Sequence, residues 1–165
     1  NSDMWQTNVG AVYRVSDKVT ANAQIGYMDR QYDDTVQGGG DFDDPVFTLG
    51  LNYVPMPNWS HSFTAAQTAL NSQSSNYYEY QRLAYDAVFT PMTNLKLSGG
   101  LFVDFIDPSD ATEQSDRFGG KLAATYAVNE FVTVGASYKY TDKTSDDPTF
   151  EYSRNLASLG MWLTF

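Results

Sequence analysis

From Ala157 to the terminal Phe165, apolar side chains fall at every second position: Ala157, Leu159, Met161, Leu163 and Phe165. Ser158, Gly160 and Thr164 alternate with them, and only Trp162 breaks the rule. A period of two places one set on one face of a β-strand and the other set on the opposite face. The same alternation recurs upstream. Trp5, Val9, Ala11 and Tyr13 oppose Gln6, Asn8, Gly10 and Arg14, and Val132, Val134, Ala136 and Tyr138 oppose Thr133, Gly135, Ser137 and Lys139. Nine such segments are predicted, each about ten residues long, which is the length a tilted strand needs to cross a bilayer.

The connections sharpen this reading. Short turns are expected at 16–18, 55–58, 91–94 and 129–130, and long polar stretches at 33–44, 71–76, 107–116 and 142–151. A soluble sandwich has no reason to gather every short turn at one end. The pattern predicts an all-β, antiparallel up-and-down transmembrane β-barrel, with tight turns on the periplasmic side and longer loops outside. Twelve Tyr, ten Phe and three Trp suit aromatic rings at the two membrane interfaces. No run of about 18 apolar residues is present, so a spanning helix is not expected.

Residues 1–165 read as a single barrel segment. Nine strands leave the two ends on opposite sides, whereas bacterial single-chain barrels have even strand numbers. The expectation is therefore that an odd number of strands precedes Asn1, making this the C-terminal part of a larger barrel. A nine-stranded closure and a wall shared between chains are the alternatives.

Charge is distributed unevenly. Arg14, Arg30, Arg82, Lys96, Arg117, Lys121, Lys139 and Arg154 all fall on the polar face, which must be the lumen because a cation facing lipid near mid-membrane costs ~2–4 kcal/mol. Lys18 and Lys143 are assigned to a turn and a loop. Asp33, Asp34, Asp41, Asp43, Asp44, Asp107, Asp110, Glu113, Asp116, Asp142, Asp146, Asp147 and Glu151 are assigned to the outer loops, within a net charge of −10. A basic wall beneath an acidic mouth would draw anions inward. Equally, the cations could pair with Asp86, Asp104 and lumenal hydroxyls to stiffen the wall. Asp41, Asp43 and Asp44 offer hard oxygen ligands for calcium, but a solvated surface loop beside lipopolysaccharide is the simpler account of them, and no metal or other cofactor is expected.

No catalytic arrangement is visible, since the one histidine, His61, shares the apolar face with Trp59 and Phe63. With no cysteine, thiolate chemistry is excluded. Inward-pointing cations and an acidic exterior disfavour nucleic acid.

The stretch Thr144 to Asn155 (TSDDPTFEYSRN) and the turn-and-strand runs VSDKVTANAQIGY and FTPMTNLKLSGG resemble a family of outer-membrane β-barrel porins associated with exopolysaccharide biosynthesis operons in Gram-negative bacteria. Leu159, Met161, Leu163 and Phe165 look like the C-terminal signal by which the barrel assembly machinery recognises its clients. The resemblance implies an outer-membrane location and passage of an anionic or polar polysaccharide or solute. It brings no catalytic residue. Three readings follow: a conduit; a structural anchor or scaffold that conducts nothing and pairs with a partner chain or another copy; and, least supported by the residues, an enzyme.

Overall fold

The computed structural model describes residues 2–32, 41–71, 77–109 and 114–164. Nine strands follow one another: β1 (Ser2–Arg14), β2 (Val19–Tyr32), β3 (Phe42–Met56), β4 (Trp59–Asn71), β5 (Tyr77–Met92), β6 (Leu95–Pro108), β7 (Ser115–Ala127), β8 (Val132–Ser145) and β9 (Tyr152–Leu163). Each pairs antiparallel with its sequence neighbour, in the order β1 through β9. Among the described residues the sheet does not close, and β1 and β9 are its two edges. The all-β up-and-down architecture expected from the alternation is the architecture present.

Register puts directly opposed residues on a common face. Val9 faces Ile25, Ala23 faces Leu49, Leu51 faces Phe63, Ala65 faces Leu83, Leu83 faces Val103, Leu97 faces Ala124, and Ala136 faces Leu159. One face is thus apolar from edge to edge and uncovered, reaching 88% exposure at Leu159. Against hydrocarbon such a face is stable; against water it would be an aggregation surface.

The short turns fall into two kinds. Val15–Val19 and Val128–Val132 close alike: the amides of Val15 and Val128 donate to the carbonyls of Val19 and Val132 at 2.9 and 2.8 Å. Asn129 Oδ1 accepts from the amides of Phe131 and Val132, both at 2.9 Å. The other two carry Pro-Met before a two-residue turn. Their register shifts between Tyr53 and Met56 and between Phe89 and Met92. Pro55 and Pro91 stand inside these irregularities, where the ladder asks no amide of them.

The strands run 12 to 16 residues, longer than the ten expected. At about 3.3 Å per residue and the usual tilt they stand roughly 30–40 Å tall, more than the ~25 Å apolar band of an outer-membrane barrel. Asp43, Asp44, Asp107, Asp116, Asp142 and Lys143, assigned above to loops, therefore lie in strands. Polar composition resembled loop because the hairpins continue past the membrane into water. Asp33, Asp34, Asp110 and Glu113 lie outside the described residues.

At the long-loop end, β3 and β4 part above the Phe47–Gln67 pair. Met28, Phe42, Val46 and Ala69 fill the gap with Tyr77, whose ring meets Phe42 edge-on at 5.0 Å. At the short-turn end His61 stacks between Tyr53 and Tyr85, at 5.8 and 6.0 Å, and its Nδ1 lies 2.8 Å from the Tyr85 hydroxyl. Trp59, Phe63 and Phe89 extend this cluster into an aromatic band.

Candidate functional site

The polar face begins with its register. Across β5 to β9, one row reads Arg82, Asp104, Arg117, Lys143, Tyr152; the next reads Ala84, Phe102, Gly119, Thr141, Arg154; the third reads Asp86, Gly100, Lys121, Lys139, Leu156. Alternation placed these residues on one face. Neighbouring strands placed opposite charges side by side.

Asp104 is completely buried, and its surroundings explain how a carboxylate tolerates that. Arg82 donates from Nε to Oδ1 at 2.6 Å and from Nη2 to Oδ2 at 2.9 Å. Arg117 donates to Oδ2 from Nε and Nη2 at 2.8 and 2.6 Å, and the Tyr80 hydroxyl donates to Oδ1 at 2.9 Å. Two charge-assisted, fork-shaped contacts plus a phenol offset the cost of taking the charge from water. Beside this hub, Lys121 reaches across β6 to Asp86 at 2.8 Å. The pair passes over Gly100, where a Cβ would stand 2.4 Å from Asp86 Oδ1 and 2.9 Å from Lys121 Cε. A side chain there would push the bridge aside.

Phe102 lies over another glycine. A Cβ on Gly119 would meet its Cζ at 2.4 Å, so the ring can lie across β7 only because that side chain is missing. Around the ring stand Arg82, Lys139 and Arg117, at 4.9, 5.6 and 5.9 Å from its centre. Its negative faces hold the cations together. Trp162, the residue that broke the terminal alternation, behaves alike: its indole covers Gly160 and Gly135 on the polar face. With Arg154, Thr141 and Tyr152, the Phe102 group walls a hollow of about 190 Å³.

All eight basic residues singled out from the sequence occupy the polar face. Arg82, Arg117, Lys121, Lys139 and Arg154 come together as described. Arg14 stands apart at the short-turn rim, paired with Asp17 at 2.9 Å and well exposed. Lys96 is in register with Thr125, and Arg30 with Met4 and Phe42. Lys143 was missed. It faces Arg117 from β8, with its Nζ 5.7 Å from the centre of the Phe150 ring. The signal that could have found it is its spacing of two from Thr141 and four from Lys139 on the polar face.

The calcium candidates do not converge. Asp43 shares a face with Asp29 and accepts from the Tyr27 hydroxyl, whereas Asp44 is in register with Met28 on the opposite face. Successive strand residues cannot converge on one ion. Asp41 offers its backbone carbonyl to the Tyr77 hydroxyl at 3.5 Å. Among the described residues, no three His, Asp or Glu side chains stand close enough to hold a metal. Of the terminal residues, Leu159, Met161 and Leu163 line the apolar face opposite Ala136, Val134 and Val132; Phe165 lies outside the described residues.

The profile of the family described as "putative beta-barrel porin 2" matches residues 1–165. Among solved structures the chain is similar to OmpT, an outer membrane protein of Vibrio cholerae. The outer-membrane expressed form is 14% identical, with a TM-score of 0.62 over 98% of this chain and 56% of that one. A loop L8 deletion mutant gives 14%, 0.63, 98% and 53%, and the in-vitro folded form 9%, 0.57, 99% and 81%. The chain thus spans about half the length of the first two. At these identities the likeness is one of fold. No curated protein matches.

Proposed function

The chain belongs to the putative beta-barrel porin 2 family, and from that premise we propose that it forms part of the wall of a non-catalytic, porin-like conduit in the outer membrane of a Gram-negative bacterium, favouring anions. One observation carries the reading: on the polar face of β5–β9, Arg82, Lys96, Arg117, Lys121, Lys139, Lys143 and Arg154 oppose only Asp86 and Asp104. Seven cations against two carboxylates would focus a positive field in a water-filled passage.

The cargo is an anionic or polar solute, an acidic polysaccharide included. Lipid and lipopolysaccharide meet the apolar face, and the assembly machinery meets the terminal strand. Planar-bilayer recordings of the intact protein under a KCl gradient test this: a reversal potential on the chloride side is expected. Cation selectivity, or no pore at all, would overturn it. A second reading is a scaffold that pairs with another chain through strand edges, of which β1 and β9 are the two among the described residues. That reading predicts no conductance and a partner that co-purifies in detergent.

A further inference from the structure

The cations of the polar face are unequal. Arg82 and Arg117 are bound to Asp104, and Lys121 is bound to Asp86. Among the described residues, neither Lys139 nor Arg154 stands within ion-pair distance of a carboxylate. These two line the same hollow, beside Arg82 and Arg117 of the Asp104 hub, and Lys139 Nζ lies 5.6 Å from the centre of the Phe102 ring. Arg82, Arg117, Lys139 and Arg154 against Asp104 leave three positive charges around about 190 Å³, several times the ~30 Å³ share of one water. Asp104 holds Arg82 and Arg117 in place and the Phe102 ring faces both of them and Lys139, so one carboxylate serves a cluster of four cations. The hollow also has hydroxyls, from Tyr152 and the buried Thr141.

We propose that this hollow is a discrete docking site for a multiply charged oxyanion, a phosphate or carboxylate group carried on a solute, with Lys139 and Arg154 as its direct ligands. The Asp104 hub and Phe102 fix the geometry; the two remaining cations supply the attraction. The inference rests on the conduit reading, because it places the site in a water-filled lumen. It goes further in concentrating anion recognition in one place. A field spread along the wall would select anions without holding any of them, whereas a built site holds one and saturates.

The test is block of the chloride current through the intact protein by tripolyphosphate and, separately, by citrate. Saturable block is expected, and the anion blocking at the lower concentration names the preferred oxyanion. K139Q/R154Q should raise the blocking concentration about tenfold or more. The charge-conserving K139R/R154K should stay within about threefold of the parent, and Gln24→Ala, on β2, should leave block unchanged. If K139Q/R154Q does not assemble, the single variants K139Q and R154Q make the same comparison. A channel that remains anion-selective, yet shows no saturable block or keeps full block in K139Q/R154Q, overturns the site and spares the conduit. No channel at all overturns the conduit. Calorimetric titration of tripolyphosphate into the detergent-solubilised protein then decides the site: saturable heat lost in K139Q/R154Q supports it, and no saturable heat overturns it.

Discussion

The polar face is two walls of different chemistry. From β1 to β4 it is built of neutral groups: Gln6, Asn8, Thr20, Asn22, Gln24, Thr48, Asn52, Ser62 and Thr64 share it, with charge only toward the ends at Arg14, Arg30 and Asp44. From β5 to β9 the same positions carry the Asp104 hub, the Lys121–Asp86 bridge, and Lys139 and Arg154, which have no carboxylate within ion-pair distance among the described residues. Both walls obey one alternation and turn one kind of apolar surface outward. Alternation therefore decides which face meets water, and leaves open whether that face is inert or charged. Away from its ends the neutral wall carries no ion pair among the described residues, so truncating one of its amides or hydroxyls strands no charge. The charged wall is interdependent, since its groups are satisfied by one another.

Removing the hub should break the comparison most sharply. Asp104→Ala leaves Arg82 and Arg117 facing each other with no shared acceptor and is expected to destabilise the assembled protein by about 3 kcal/mol. Asn22→Ala in the neutral wall should cost under ~1 kcal/mol. Urea unfolding in lipid vesicles measures both, and equal losses would erase the distinction. Glycine replacement comes next. At Gly119 a methyl must displace Phe102 and crowds the Tyr140 carbonyl at 2.8 Å, whereas at Gly10 the nearest atom is the Ala23 carbonyl oxygen at 3.2 Å. Gly119→Ala should cost ~1–3 kcal/mol by overpacking and Gly10→Ala less than ~1 kcal/mol, in the same unfolding assay.

Selectivity gives a smaller effect. The Lys121–Asp86 pair is about half exposed, at 56% and 42%, so Lys121→Gln should change stability by less than ~1 kcal/mol. It strands the Asp86 charge, however, and the reversal potential should move toward cations. Gln24→Ala should not move it. The smallest effect lies outside both walls. Asp147 caps the 3-10 turn Pro148–Phe150 by accepting from the Thr149 amide at 2.9 Å and from its hydroxyl at 2.8 Å. The amide bond first, then the hydroxyl, holds its carboxyl below the ordinary range. A depressed carboxyl stabilises the fold above the unfolded value near 4 and loses that contribution as pH falls through the folded one. Amide exchange at Thr149 should therefore be protected at pH 6 and lose its protection only below about pH 4.

The division into faces was legible in the sequence, because a half-buried strand must alternate. What stands beside what was not. Arg82, Asp104 and Arg117 lie on three strands, and they become neighbours through the registers of two hairpins. One of those registers includes the shift between Phe89 and Met92. An extra residue at a bulge resets every pair above it, and no pattern within β6 reports that offset. Trp162 shows the same limit from the other side. It looked like an error in the alternation, and became intelligible only when Gly160 and, from the neighbouring strand, Gly135 lay beneath its ring. Lys143 was lost for a compositional reason: Asp142 to Asp147 is polar enough to look like loop, yet the ladder runs on to Ser145.

The open rims of the sheet have one further consequence. A bilayer offers no donor or acceptor to a strand margin, and each bare peptide group exposed to hydrocarbon costs several kcal/mol. Tyr152–Leu163 leaves one such margin and Ser2–Arg14 the other. Inside a membrane neither margin can stay bare, so the wall is at rest only where each is bonded to further backbone.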